Sequence, residues 1–211
     1  MKVFAKLLLG CAVAVAIALP ASAQISLSLS PTGYTVGVGG TETYNLSISG
    51  LFGSADYHGP ALGAFALQLD YNPAIAAATS VTFGNSSGTD LLNLSGKAFQ
   101  YSDLSTSGQI YLMESSADLA SALQTAQSSS FTLATITLQG VAPGTTPLAF
   151  DATYAPSLSD ANASSLDLIT TNGASLTVIP EPSVTASVFG AAAMGFCMLR
   201  RKLSRVAGCK A

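Results

Sequence analysis

Short runs of alternating apolar and polar residues fill the chain from Gln24 to Ile179, and this feature limits its possible folds most strongly. The runs from Ile25 to Ser30 and from Thr41 to Ser49 are typical, and Gly, Pro or Asn residues separate such runs. Successive side chains of a strand point to opposite sides, so a period of two indicates a strand with one buried face. We therefore predict one all-β domain over residues 24–179, a β-sandwich of about nine to eleven short strands.

The individual elements follow from the same pattern. Leu119 and Leu123, four residues apart, predict one short helix over 118–127, with Asp118 at its positive end. Asn172-Gly173 predicts a type I′ hairpin between the last two strands. Leu67 and Ile136 are expected to point into the core. The predicted strands are 24–30, 34–38, 41–49, 64–70, 79–83, 98–103, 109–115, 131–138, 146–150, 166–170 and 174–179.

Charge is distributed very unevenly along the chain. All eleven acidic residues lie between Glu42 and Glu181, where Lys97 is the single basic residue, so this part carries a net charge of about −10. Such a domain does not bind nucleic acid by charge. The three cysteines, Cys11, Cys197 and Cys209, lie outside residues 24–179, so sheet packing has to stabilise the domain without a disulfide.

The first 23 residues have the organisation of a secretory signal peptide. Lys2 and Lys6 precede an apolar run from Leu7 to Leu19, and small residues follow it at Ala21 and Ala23. This arrangement predicts cleavage by signal peptidase before Gln24. We therefore expect residues 1–23 to direct export.

The last 32 residues form a second targeting segment. Pro180, Glu181 and Pro182 precede an uncharged apolar stretch over 183–199, and Arg200, Arg201 and Lys202 follow it. A helix over 183–199 is just long enough to cross a bilayer, with the basic cluster on the cytoplasmic side. Residues 180–211 are therefore predicted to contain a single transmembrane helix.

The three-part tail resembles the PEP-CTERM sorting signal of Gram-negative bacteria. This resemblance implies processing by an exosortase near Pro180, Glu181 and Pro182. It also implies transient anchoring in the inner membrane, then delivery to the cell surface or to an exopolysaccharide matrix such as a biofilm. The alternative is an ordinary single-span anchor in which the Pro-Glu-Pro sequence has no role.

The predicted domain also has a family resemblance. Residues 64–73 and 79–84, and later 133–138 with Pro143, Gly144 and Thr146, resemble strands of cohesin domains. The resemblance implies a nine-stranded jelly-roll sandwich. Cohesins bind dockerin modules, but no dockerin-like repeat is found in this chain.

Several residue groups are candidates for catalytic or metal sites. Gly84-Asn85-Ser86-Ser87-Gly88 matches the hydrolase pattern G-x-S-x-G, but the single histidine, His58, precedes Ser86 and no α/β pattern surrounds it. Asp70 and Glu114 could form a glycosidase pair, although surface charge is their simpler role. Asp160-Ala161-Asn162 has the residue types of a calcium loop or of an Asx turn. We predict no catalytic residues, no metal site and no cofactor.

Three functional hypotheses follow from this sequence. The first is a non-enzymatic exported surface or matrix protein, sorted by its tail and associated with exopolysaccharide or the envelope. The alternative is an adhesion or binding module that recognises a protein or glycan through the cohesin-like face. Tyr57, Tyr101 and Tyr154 are the aromatic candidates for glycan contact. A small glycosidase is a third hypothesis.

Overall fold

The computed structural model describes residues 24–51, 60–181 and 194. These residues contain thirteen strands and one helix. The strands are β1 (Ile25–Ser30), β2 (Gly33–Gly37), β3 (Thr41–Ser49), β4 (Leu62–Asp70), β5 (Ala76–Phe83), β6 (Phe99–Asp103), β7 (Gln109–Ser115), β8 (Ser130–Gly140), β9 (Gly144–Phe150), β10 (Ser157–Asp160), β11 (Ser165–Leu166), β12 (Leu168–Asn172) and β13 (Ala174–Ile179), and helix α1 (Ala120–Ala126) lies between β7 and β8.

The strands form two sheets. The smaller sheet has the order β12-β1-β3-β8-β5, in which the β1–β12 pair is parallel and the other pairs are antiparallel. The larger sheet has eight strands in the order β11-β10-β4-β9-β13-β2, and β7 and β6 extend it from β4. Strand β4 is the centre of the larger sheet, because it pairs with β7, β9 and β10.

The core lies between the two sheets and consists of the inward side chains of the alternating runs. Leu27, Leu29, Leu46 and Ile48 of the smaller sheet are at most 1% exposed, and their polar neighbours are only partly buried or exposed. Leu67 and Ile136 are buried as predicted. Each such side chain contributes roughly 1.5–3 kcal/mol on burial. The all-β sandwich with one short helix is therefore confirmed, with thirteen strands in the described residues instead of about nine to eleven.

The helix is shorter than predicted. It begins at Ala120, and Leu119 is 77% exposed, whereas Leu123 is buried. Asp118 does not lie in the first turn. Its carboxylate accepts hydrogen bonds from the backbone N–H groups of Leu94 and Ser95, so it ties the preceding loop to this region instead.

The predicted hairpin between the last two strands is wrong. Strand β12 pairs with β1 in the smaller sheet, whereas β13 lies between β9 and β2 in the larger one. The chain crosses from one sheet to the other at Gly173, and Asn172 does not have the positive φ that a type I′ turn requires. A Cβ atom at Gly173 would lie 2.6 Å from the carbonyl oxygen of Leu148, so close backbone approach explains this glycine.

Some predictions fall outside the described residues. The signal peptide with Ala21 and Ala23, the loop residues Tyr57 and His58, and the basic cluster at Arg200, Arg201 and Lys202 all do so. The predicted membrane segment 183–199 does so as well, apart from Met194. Among the described residues, no helix has the length and apolarity needed to cross a bilayer.

Candidate binding face

The outward side of β6 and β7 carries aromatic residues that are exposed or partly exposed. Ile110 and Leu112 of β7 point into the core, so Tyr111 and Met113 point outward. Tyr101 of β6 is directly opposite Met113, and directly paired residues share one face of a sheet. Phe99, two residues earlier, lies on the same side. We call Phe99, Tyr101, Tyr111 and Met113 the aromatic face.

The aromatic face is exposed to solvent, and two of its rings contact each other. Phe99 is 57% exposed and Tyr101 is 46% exposed. The rings of Tyr101 and Tyr111 are 6.0 Å apart and meet edge to face at 61°, a favourable arrangement for two aromatic rings. Strand β6 pairs only with β7 among the described strands, so Phe99 and Tyr101 lie on an edge strand of the sheet.

Small residues continue the surface beside the aromatic face. Across the sheet, Met113 is paired with Ala66 of β4, and Ala66 with Ser157 of β10. These pairs form one row across the sheet. The row begins with the large side chain of Tyr101 on the edge strand β6 and ends with the small side chains of Ala66 and Ser157. An exposed sheet surface with large apolar side chains at one side suits a macromolecular partner better than a small molecule.

Acidic residues border this surface. Asp103 follows Tyr101 by two residues and is paired with Tyr111. The pKa of Asp103 lies below its usual range because the Ser105 side chain and backbone N–H donate to it. Asp70 and Asp151 both accept hydrogen bonds from the Gln68 amide, at 3.1 and 3.2 Å. The surface therefore combines apolar area with negative charge and favours a partner that carries basic or hydrogen-bond-donating groups.

Asp151 holds the loop that follows β9. It accepts the backbone N–H of Tyr154 at 2.6 Å, and these backbone hydrogen bonds lower the pKa of Asp151. The pKa of Asp70 is raised by burial and by the neighbouring Asp151 carboxylate. Because Gln68 links Asp151 to β4, the loop that carries Tyr154 is fastened to the same sheet. Tyr154 is 62% exposed, so Tyr101 and Tyr154 are both accessible, as expected of aromatic binding residues.

The structure does not bring the proposed glycosidase pair together. Asp70 is paired with Gln109 at the first position of β7, whereas Glu114 lies five residues further along that strand. Five strand positions correspond to about 17 Å, against about 5–9.5 Å between the carboxyl groups of glycosidases. The two side chains also point to opposite sides of the sheet. The expectation that Glu114 is a surface charge is wrong as well, because Glu114 is completely buried.

The hydrolase-like segment is a tight turn. Gly84 directly follows β5 and has φ +79°, and the Asn85 side chain accepts the backbone N–H groups of Ser87 and Thr89. No helix follows Ser86 before β6, so the strand–turn–helix context of a nucleophile elbow is lacking.

Asp160 forms an Asx turn. Its Oδ1 atom accepts the backbone N–H groups of Asn162 and Ser164, both at 2.8 Å, and Ala163 has φ +63°. Of the two alternatives for this loop, a calcium loop and an Asx turn, the structure shows the Asx turn. Among the described residues, no group of three or more His, Cys, Asp or Glu side chains is suited to hold a metal ion.

The best-defined cleft lies beside α1, between Asp118 and Asp160, and has a volume of about 120 Å³. Pockets for small ligands usually measure roughly 300–1,000 Å³. The aromatic face is therefore the stronger candidate for a functional surface in the described part of the chain.

No protein-family model and no curated protein matches this sequence. Solved structures do match its fold. CaCohA2 from Clostridium acetobutylicum superposes with a TM-score of 0.56 at 16% identity, over 74% of this chain and 92% of that chain. The seventh ScaB type I cohesin from Pseudobacteroides cellulosolvens gives 0.55 at 15% identity, over 75% and 94%. A chain of the Coh-OlpA–Doc918 type I cohesin–dockerin complex from Clostridium thermocellum gives 0.55 at 10% identity, over 74% and 99%. The sandwich is therefore cohesin-like in fold.

Proposed function

We propose that residues 24–179 form a non-enzymatic binding module that recognises a protein partner through the aromatic face. The cohesin-like fold supports this proposal, because similar structures include cohesins in complex with dockerins. The observation that carries it is the exposure of Phe99 and Tyr101 on one side of the sheet, next to the partly exposed Tyr111 and Met113. Large aromatic side chains of this kind dominate the energetics of protein interfaces.

The partner is expected to present apolar side chains together with basic groups. The aromatic face supplies the apolar contact, and Asp103, Asp70 and Asp151 border the surface with negative charge. A dockerin-like module is one class of partner that meets these requirements. A glycan is the second candidate, because the exposed Tyr101 and Tyr154 rings could stack on sugars.

Site-specific photo-crosslinking in the producing cells tests this proposal. A photoreactive phenylalanine analogue at Tyr101 should give one discrete crosslinked product. The same analogue at Thr79, exposed on β5 of the other sheet, should give none. Competition by unlabelled protein should abolish the product, and a Tyr101→Ala variant should compete less well. Equal crosslinking from both positions would contradict a specific face, whereas saturable binding to a purified polysaccharide would favour the glycan alternative.

We further propose that the chain is exported by residues 1–23 and sorted by residues 180–211. In this scheme an exosortase processes the chain near Pro180, Glu181 and Pro182, and the module reaches the cell surface or the exopolysaccharide matrix. Pro180 and Glu181 directly follow β13 and are exposed, so an enzyme could reach them. The sequence resemblance of the tail carries this proposal.

Replacement of Pro180, Glu181 and Pro182 by alanine tests the sorting step. The variant should remain in the membrane fraction, and its mass should include the tail. The wild-type product recovered outside the cell should lack residues beyond Leu199. Unchanged processing and location of the variant would contradict the proposal and favour a simple membrane anchor.

A further inference from the structure

The last strand of the sandwich finishes at Ile179, and the loops around this point form one end of the domain. Val38, in the turn between β2 and β3, donates its backbone N–H to the carbonyl of Ile179. Gly39 of the same turn donates to Gly140, and the residue after Gly140 donates to the carbonyl of Ile75. Backbone hydrogen bonds therefore join four segments, which we call the tail-proximal end: 36–40, 71–75, 139–144 and 178–180.

The tail-proximal end has no charged residue, although the domain around it is strongly acidic. None of its four segments contains Asp, Glu, Lys or Arg. Apolar side chains are exposed there instead. Val141 is 47% exposed and Ile179 is 45% exposed, and Ala74 and Pro143 are exposed as well. An uncharged surface with exposed apolar side chains indicates contact with an apolar partner.

Very little chain separates this end from the predicted membrane segment. Three residues, 180–182, lie between Ile179 and the apolar stretch 183–199. Three residues span at most about 11 Å when fully extended. The headgroup layer on each side of a bilayer is about 5–8 Å thick, which is half the difference between the whole bilayer and its hydrocarbon core. The linker is therefore just long enough to cross the headgroups, so a chain anchored by its tail holds this end of the sandwich close to the lipid.

The opposite end of the domain lies much further from the tail. Ser116, shortly before α1, donates its backbone N–H to the carbonyl of Gly63 at the start of β4. The other end of β4 lies near the tail-proximal end, because Asn72 donates its backbone N–H to the Thr146 hydroxyl of β9. Strand β4 has nine residues, so it separates the two ends by about 27 Å.

We propose that the tail-proximal end docks on the lipid surface of the membrane in which the tail is anchored. This inference rests on the proposed anchoring by residues 180–211 and adds the surface on which the domain rests. Val141 and Ile179 would gain from contact with the interfacial layer in proportion to the apolar area that they bury. The absence of carboxylates avoids both the cost of desolvating a charge and repulsion by anionic lipids. The short linker favours lipid over a second copy of the chain, because lipid is the surface that it brings within reach.

Docking by this end fixes the orientation of the module. Strand β13 ends at the tail-proximal end, so the strands would stand upright on the membrane. Both outer sides of the sandwich would then point sideways, and the aromatic face would remain open to a partner. Pro180 and Glu181 would lie at the lipid surface, where a membrane enzyme could reach them.

Tryptophan fluorescence tests this docking, because the chain contains no tryptophan. Val141→Trp places a reporter on the tail-proximal end, and Leu119→Trp places one beside α1, where Leu119 is 77% exposed. The full chain is produced in a bacterial host without an exosortase, purified from the membrane fraction and reconstituted in phosphatidylcholine vesicles. Lipids brominated near the headgroup should quench the emission of Val141→Trp, which should also shift to the blue. They should leave the emission of Leu119→Trp unchanged.

A charge beside the reporter separates docking of an apolar surface from mere proximity to lipid. Ala74→Asp is added to the Val141→Trp chain, and Ala122→Asp, at an exposed position of α1, is the matched control. The first change should reduce the quenching, since a carboxylate at the lipid surface is costly, and the second should not. Unchanged quenching with Ala74→Asp would overturn the proposal. All four changes alter partly or fully exposed residues, and circular dichroism checks that each chain melts like the parent.

Flotation of the vesicles in a density gradient measures anchoring separately. Protein that floats but shows equal quenching at both reporter positions, or none in Val141→Trp, would overturn the docking and leave the anchor proposal intact. A blue shift without quenching would overturn it too, because a second copy of the chain then covers this end. Protein that does not float would contradict the proposed anchoring, and this inference would fall with it.

Discussion

The hydroxyl group of Tyr44 donates a 2.9 Å hydrogen bond to the backbone carbonyl of Ser175. Tyr44 belongs to β3 of the smaller sheet and Ser175 to β13 of the larger sheet, so this bond joins the two layers through the core. The Tyr44 side chain is completely buried. Burial, with a smaller contribution from Glu42, raises the pKa of Tyr44 to about 12, so the hydroxyl keeps its proton in the folded state.

Replacement of Tyr44 by phenylalanine should destabilise the domain modestly. The ring still fills the core, but the bond between the sheets is lost, which should lower the free energy of unfolding by about 0.5–1.5 kcal/mol. Urea denaturation measures this change. Tyr34→Phe is the matched control, because Tyr34 is 45% exposed, and its effect should be within about 0.5 kcal/mol. Equal stability of Tyr44→Phe and wild type would show that the hydrogen bond makes no net contribution to the free energy of unfolding.

A charge placed in the core should abolish folding. Leu67 is 2% exposed and Ile136 is completely buried, and an aspartate at either position would bury an unpaired carboxylate. Leu67→Asp or Ile136→Asp should show no cooperative thermal transition by circular dichroism. Ser80→Asp places the same charge at an exposed position of β5 and should melt like wild type. A normal transition for either core variant would contradict the strand register.

Loss of the Gln127 side chain should destabilise the domain strongly. Its amide accepts the backbone N–H of Leu62 at 2.8 Å, donates to the Leu62 carbonyl at 2.8 Å, and also donates to Leu91. Gln127→Ala leaves buried backbone groups without partners, at a cost of about 1–3 kcal/mol for each. Gln124→Ala is the matched control, since Gln124 lies on the exposed side of α1. Chemical denaturation of both variants gives the comparison, and similar losses would refute the role of the amide.

Gly173→Ala should destabilise the crossing between the two sheets. The added Cβ would lie 2.6 Å from the Leu148 carbonyl oxygen, so the backbone has to shift, at a cost of roughly 1–3 kcal/mol. Gly37→Ala is the control, because a Cβ there meets no atom within 4 Å. Thermal unfolding should show a clear drop in Tm for the first variant and almost none for the second.

The stability of the folded domain should fall as the pH rises toward 8. The pKa of Glu114 is about 8 in the folded protein, against an ordinary value of 4.5, so the folded state binds this proton more tightly than the unfolded state. The free energy of unfolding therefore decreases as the pH rises from about 4.5 to about 8, and the loss is complete above that range. Thermal unfolding across this pH range, compared between wild type and Glu114→Gln, isolates this group. A variant with the same pH dependence as wild type would rule out Glu114 as the source.

The sequence predicted best those features that depend on neighbouring residues. Alternation alone identified β1 and β3 and the inward position of Leu67, because the period of two is local. The partner of a strand is a long-range property, and this is why Asn172-Gly173 was misread as a hairpin. The Asn-Gly sequence is compatible with a hairpin turn. The pairing of β12 with β1, however, places β12 in the smaller sheet, so β12 and β13 do not form a hairpin.

The polar groups inside the sandwich were harder to predict. Glu114 follows Ile110 and Leu112 in the inward phase of β7, so its burial could have been read from the register. Asp90, Gln100 and Gln127 gave no such signal, because their roles depend on contacts between distant segments. Tyr101 was recognised as a binding candidate, whereas Phe99 was missed, although it shares the outward phase of β6 with Tyr101.

The position of β13 has a mechanical consequence. Its hydrogen-bond ladders to β9 and β2 lie on either side of it, and Ile179 is its last residue. A force applied to the chain beyond Ile179 therefore acts along β13 and loads both ladders in shear. The backbone hydrogen bonds to β9 and to β2 resist this force together. A module tethered by its tail would resist tension at the point where the tether begins.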